Sequence, residues 1–207
     1  NVSQKIKLKT FYPHVLSSEI GAFLEYNFEH YNTFYTKREK KIMLHTFLSI
    51  LNNFKLGYLS GEILTTKFGQ ESGYENGDFF AISLNSELDT RNDRLLPHSG
   101  KYFKLMVDGG VDEEAMYFKT NFEYQLFLHV LRNSYTKIKT VSHVIHYQGE
   151  PVPRSRYFKL GGSSSLRGLN EESLLQPQFH ILTLEIIQQQ KKALQLKSFI
   201  DLGSDRL

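Results

Sequence analysis

The chain has 207 residues, no cysteine, and a formal net charge of +3 from 25 basic and 22 acidic side chains. Without cysteine there is no disulfide framework, thiol nucleophile or thiolate metal site, and so small a positive excess leaves no electrostatic footprint for nucleic acid. The unusual signal is aromatic: 16 Phe and 12 Tyr stand against 5 Pro, and both aromatics favour strands and the girdles of membrane barrels.

Period-2 alternation predicts ten strands, near 4–12, 18–29, 40–51, 54–68, 79–88, 101–109, 115–131, 137–159, 177–189 and 193–203. In the second, Ile20, Ala22, Leu24, Tyr26 and Phe28 oppose Gly21, Phe23, Glu25, Asn27 and Glu29. The charge run Lys37-Arg38-Glu39-Lys40-Lys41 is expected to be a solvated loop. In the fifth, Phe80, Ile82, Leu84 and Leu88 share a face. The clearest alternation is at 115–131, where Met116, Phe118, Thr120, Phe122, Tyr124, Leu126 and Leu128 oppose Tyr117, Lys119, Asn121, Glu123, Gln125, Phe127 and His129. A helix cannot segregate these sets, because their period is 2 and not 3.6.

Connections alternate in length. Those near Asn52-Asn53, Arg132-Asn133-Ser134 and 189–192 are short, whereas 30–39, 69–78 and 151–177 are longer and more polar. The fold class is therefore all-β: an antiparallel up-and-down sheet with short turns on one side and long loops on the other, as in outer-membrane barrels. A soluble up-and-down barrel shares the alternation, so the pattern alone leaves both open. No apolar run reaches the ~18–20 residues of a membrane helix, and the first residues do not read as a signal peptide.

The distinctive segment is Tyr157-Phe158-Lys159-Leu160-Gly161-Gly162-Ser163-Ser164-Ser165-Leu166-Arg167-Gly168-Leu169. It lacks the phosphate-binding G-x-x-x-x-G-K-[ST] pattern, and the chain contains no G-x-S-x-G nucleophile elbow. The stretch FKLGGSSSLRGLNEES resembles the loop signature of the BamA-type superfamily, which includes assembly insertases, TamA-like proteins, two-partner secretion transporters and the chloroplast import channel. Gly161, Gly162, Arg167 and Gly168 match its pattern, Leu166 belongs to the same functional loop, and Leu169 stands where the family has Phe or Tyr. LDTRNDRLLPHSGKYFKLMVDGG resembles the family's D-x-R-(x)n-P-x-x-G segment through Asp89, Arg91, Pro97 and Gly100, and FIDLGS resembles its F-x-D-x-G strand.

The resemblance implies a transmembrane barrel of about sixteen strands, an even number within the usual range, of which ten are visible here. The whole of 1–207 is then a partial barrel domain and the sequence a fragment, with about three strands lacking on either side, as well as the POTRA domains that most members carry. The resemblance also implies that loop 160–176 folds into the lumen, that Glu185 and Asp201 receive Arg167, and that Pro97 and Gly100 close a periplasmic turn. Period 2 agrees, since Thr183 and Glu185 share one face, and Lys197, Phe199 and Asp201 another. Counting back from an outer Arg loop makes 132–134, 90–100, 52–53 and 13–18 periplasmic, and 30–39 and 69–78 extracellular.

The function implied is that of a multi-pass outer-membrane insertase or protein translocation component, without catalysis or cofactor, acting through barrel seam and lumen. Alternatives are a two-partner secretion transporter, a passive channel, or the barrel anchor of a fused lipase. The partners implied are outer-membrane lipids, unfolded barrel or secreted clients and accessory assembly proteins, with no nucleic acid. His129, His143, His146 and His180 are not expected to hold a metal, because 143 and 146 fall on opposite faces of a strand.

Overall fold

Strand-forming residues with a strict two-residue repeat build ten long strands: β1 (Ser3–Ser17), β2 (Ile20–Tyr31), β3 (Tyr35–Phe47), β4 (Asn52–Thr65), β5 (Gly77–Asp89), β6 (Gly100–Asp112), β7 (Ala115–Leu131), β8 (Ser134–Tyr147), β11 (Gln178–Lys191) and β12 (Leu194–Ser204). Between β8 and β11 lie a 3-10 turn, Arg154–Arg156, and two short strands, β9 (Phe158–Leu160) and β10 (Leu174–Gln176); a one-turn helix, α1 (Lys67–Glu71), follows β4. The computed structural model describes the chain except residues 1–2, 18–19, 32–33, 48–51, 113–114, 132, 150, 164, 192–193 and 206–207.

The long strands form one antiparallel sheet in the order β1-β2-β3-β4-β5-β6-β7-β8-β11-β12. Every neighbour is the next long strand in the chain, so the topology is a pure meander. β9 and β10 pair only with each other. The connections at 66–76 and 148–177 lie at one end of the sheet, the upper rim, and 90–99 lies at the lower rim.

The sheet has two unlike faces. One carries the residues predicted to share an apolar side, among them Leu24, Phe80, Ile82 and Phe118, together with Leu182 and Ile200, all exposed. The other is the inner face, where Lys7 reaches Glu25 at 2.8 Å, Lys139 reaches Glu123 at 3.7 Å, and buried Lys41 lies 3.8 Å from buried Asp108. Apolar side chains gather on this inner face in two places. A larger cluster near the upper rim includes Tyr35, Phe79, Tyr117, Tyr147, Phe158 and Phe179, and a smaller one near the lower rim joins Phe127, Tyr135 and Ile187. An apolar outside around a charged inside is the reverse of a soluble barrel.

Several boundaries differ from expectation. The predicted loop at 30–39 is mostly strand, with β2 running to Tyr31 and β3 starting at Tyr35. The run 37–41 is therefore not a solvated loop. Lys37 and Glu39 turn inward and pair at 3.2 Å, while Arg38 turns outward and meets Glu62 of β4 at 2.8 Å. Charge on every successive residue hides period 2 from a hydrophobicity reading, yet a polar inner face accepts it. The predicted strand 137–159 stops at Tyr147, where Gly149, at φ +81, begins the upper connection. The predicted connection at 13–18 is β1 as far as Ser17, with a register irregularity between Tyr12 and Ser17; Ser18 lies outside the described residues. Asn52-Asn53 opens β4 rather than forming a turn.

Candidate functional site

The upper connection turns back over the inner face. Its base is the β9–β10 hairpin, paired from Phe158↔Gln176 to Leu160↔Leu174. Phe158 docks edge-on against His143 of β8 and Phe179 of β11, with ring centroids at 5.0 and 5.8 Å. Beyond Leu160 the backbone reverses through Gly161 and Gly162 at φ +111 and +94, a region open to glycine at little cost. The Ser165 hydroxyl clips the reversal by accepting from the Gly161 amide at 2.9 Å and donating to the Gly161 carbonyl at 3.0 Å.

This reversal delivers Arg167 to β11 and β12. Its Nε donates to Asp201 Oδ2 at 2.8 Å, Nη2 to Asp201 Oδ1 at 2.7 Å, and Nη1 to Glu185 Oε1 at 2.7 Å. The guanidinium lies 3.5 Å from the centroid of Phe199, and its carboxylate partners are tied in turn, Asp201 by the Thr183 hydroxyl at 2.7 Å and Glu185 by Lys137 at 3.4 Å. The forked bonds, those to Asp201 foremost, hold the Arg167 guanidinium above its already high ordinary pKa against the opposing effect of burial. The cluster is thus a fixed cation between two anions, suited to holding the loop in place and unsuited to proton transfer.

Leu166 packs on β12 at Gly203, where a Cβ would sit 3.0 Å from the Leu166 side chain. The glycine of the F-x-D-x-G strand therefore makes room for the residue before the arginine. Leu169 is exposed and contributes its carbonyl, which accepts from the Gly162 amide at 3.1 Å.

At the lower rim, Asp89 and Arg91 form a two-pronged pair at 2.8 and 2.7 Å, with the Arg91 guanidinium 4.6 Å from the Tyr102 ring centroid. Asn92 Oδ1 accepts the amides of His98 and Ser99, and Asp93 accepts those of Leu95 and Leu96, which hold its carboxyl below the usual carboxylate range. Pro97 lines a small cleft with Phe127, Tyr135 and Ile187, and Gly100, at φ +101, returns the chain to β6. The structure places this motif at the rim opposite the loop's entry, so the two are not one site. The histidines do not converge. His143 faces inward, His180 bonds Ser142 at 2.8 Å on the outer face, and no cluster able to hold a metal occurs among the described residues.

Sequence reasoning did not anticipate Phe199 as the stacking surface, Gly203 as the Leu166 seat, or the ion pairs Lys5–Glu172, Arg156–Asp112 and Lys159–Glu29 that also tie the loop to the sheet. Period 2 carried a signal for Phe199, which shares a face with Asp201.

The loop's glycines should differ in sensitivity. A Cβ on Gly161 would fall 2.1 Å from the Asn170 carbonyl oxygen, whereas one on Gly168 meets nothing within 4 Å. Both adopt a left-handed φ, which costs an alanine about 1–2 kcal/mol. Gly161→Ala should therefore loosen the loop well beyond Gly168→Ala, read as faster proteolytic cleavage between β8 and β11. Equal cleavage would remove the steric argument.

Comparison with known proteins agrees with this fold. The profile of the Omp85 superfamily domain matches residues 5–205. Among solved structures, BamA from Haemophilus ducreyi lacking POTRA domains 1-3 is similar, with a TM-score of 0.73 and 14% identity over 98% of this chain and 49% of that one. At that identity the likeness is one of fold, and the chain spans about half the length of that protein. No curated protein sequence matches.

Proposed function

Because the chain belongs to the Omp85 superfamily, we propose that it is part of an outer-membrane barrel that inserts β-barrel clients into the membrane or passes secreted clients across it. The upper rim then faces the cell exterior and the lower rim the periplasm. The observation that carries this reading is the Arg167 cluster, a loop from the upper rim locked inside the sheet by Asp201 and Glu185. A loop held inward by three charge-assisted bonds is the held, releasable element that a machine rearranging around a client needs.

The outer face suits lipid. On β7 the outward positions from Met116 to Leu128 cover about 40 Å along the strand at ~3.4 Å per residue. Tilted by about 40°, this rises about 30 Å, enough for an apolar band of about 25 Å. The outward charges Arg38 and Glu62 pair near the upper rim, in register with Asp78, at the level expected for headgroups. Clients would engage by pairing with strand edges, where main-chain hydrogen bonds have no competition from water. Lipids and accessory assembly proteins complete the proposed set of partners.

Reconstitution tests the proposal. The full-length protein in lipid vesicles should accelerate folding of a urea-denatured small barrel, scored by its heat-modifiable gel mobility, over protein-free vesicles. A secreted client reaching the vesicle interior instead would favour translocation over insertion. Neither acceleration nor transfer would refute the proposal.

A further inference from the structure

The loop is held at a second place, far from Arg167. Arg156 closes the 3-10 turn just before β9 and is only 7% exposed. Its Nε donates to Asp112 Oδ2 at 2.9 Å, and Nη2 lies 2.7 Å from the same oxygen at an angle too bent for a second hydrogen bond. The Tyr147 hydroxyl donates to that carboxylate as well. The guanidinium lies 3.8 Å from the Phe79 ring centroid and 5.6 Å from that of Tyr117. Phe79, Asp112 and Tyr117 belong to β5, β6 and β7, so one side chain reaches three consecutive strands, and Tyr147 of β8 joins them through Asp112.

Its neighbours in the chain extend the grip. Arg154 donates to the Ser72 carbonyl at 3.2 Å, and Lys159 pairs with Glu29 of β2 while its ammonium lies 3.6 Å from the Tyr31 ring centroid. The Arg167 side chain, by contrast, is 22% exposed, and Gly168, Leu169 and Asn170 beside it are exposed. Gly161 and Gly162, both at positive φ, separate the two regions.

We infer that Arg156 is the positioning residue that seats the base of the loop on β5–β8, and that Arg167 is a separate latch on its tip. The tip undocks about Gly161 and Gly162 while the base stays seated. The physical ground is unequal burial. The Arg156 side chain, packed on two rings, is only 6% exposed against 22% for Arg167, and local opening is drawn from the least buried contacts. The inference rests on the proposed membrane reading only for the side from which the loop is reached.

A sequence without cysteine permits single reporters. Ser155→Cys marks the base, at 6% exposure, and Ser165→Cys marks the tip. Both are placed in the full-length protein in its membrane and exposed to a membrane-impermeant maleimide. Arg167→Ala should speed labelling at 165 about tenfold and leave 155 within about twofold, whereas Arg156→Ala should speed both about tenfold. Asp112→Asn, which weakens the same anchor from the wall, should mimic Arg156→Ala at 155. Arg156→Lys, which keeps the charge and loses the fork, should fall between. Heat-modifiable mobility checks that each barrel is folded. If Arg156→Ala does not fold, the lysine and asparagine variants carry the test alone. Unchanged labelling at 155 in the folded Arg156 and Asp112 variants would overturn the inference, as would equal exposure of both sites by Arg167→Ala. If the labelling order holds while clients gain nothing from the protein, the proposed function fails and the two-anchor loop stands.

Discussion

Arg167→Ala should lower client folding or transfer in reconstituted vesicles by at least about tenfold, with Ser163→Ala in the same loop close to wild type. The substitution removes three charge-assisted bonds and the stack on Phe199. It also leaves Glu185 and Asp201 facing each other without their shared cation. Each such bond contributes about 1.5–3 kcal/mol where it is desolvated, and partial exposure of the arginine reduces the sum. A net loss of about 2–3 kcal/mol shifts the docked loop by about thirtyfold to somewhat over a hundredfold, since about 1.4 kcal/mol is a factor of ten. Ser163 is exposed, so its hydroxyl exchanges little on mutation. Arg167→Lys should restore only part of the loss, because an ammonium is a point charge and cannot bond both Asp201 oxygens and Glu185 through one planar fork. In a double-mutant cycle, Arg167→Ala and Asp201→Asn should be strongly non-additive. Additive losses would mean that the two side chains act independently, and the latch would have to be abandoned.

The parts of the fold legible in the sequence were those where one face is apolar and the other polar. β7 is the clearest case, since Phe118 and Phe122 against Lys119 and Glu123 leave a single choice of period and face. β3 was misplaced for the opposite reason. From Lys37 to Lys41 it places a charge on every residue, the inward ones paired along the polar inner wall and the outward Arg38 paired with Glu62. Hydrophobic periodicity is blind where both faces are polar, and only the register with β2 and β4 resolves such a segment. The end of β8 was carried too far because Tyr157 and Phe158 read as strand again beyond Gly149, Pro151 and Pro153, the turn formers that in fact end it.

The site divides along the same line. Arg167 was singled out by the resemblance of its Gly-Gly and Arg-Gly string to a family loop, and period 2 could add only that Glu185 shares a face with Thr183 and Asp201 one with Phe199. Arg156 was not. Its partner Asp112 is 44 residues away, the intervening strands set their meeting, and Arg154-Ser155-Arg156 reads as an ordinary polar stretch before a strand. Lys159 was equally silent, since its glutamate lies on β2, 130 residues earlier. Contacts fixed by strand register between distant residues leave no local signature, and only the curl of the sheet around the loop brings them together.

The second large effect should come from the outer face and depend on depth. Ile82→Arg and Leu64→Arg place the same side chain on the same face of adjacent strands, at positions 61% and 50% exposed in the protein alone. In water the two would be near-equivalent surface changes. In a membrane they are not. Ile82 lies opposite Tyr58 on β4, beside outward Leu84, Phe80 and Leu56, well inside the apolar band. Leu64 is next to the end of β4, beyond the Arg38–Glu62 pair. An arginine at the midplane of a barrel's lipid face costs about 2–4 kcal/mol, and near the interface about 0–1. Ile82→Arg should therefore shift the urea midpoint of folding into vesicles strongly downward, and Leu64→Arg should barely move it. The natural outward charges Arg38 and Lys40 fit this gradient, because β3 carries them toward the upper rim while Ile42 and Leu44 occupy the deeper outward positions. Equal tolerance of arginine at 82 and 64 would mean that the outer face meets water at both depths, and the membrane-spanning reading of the sheet would fall.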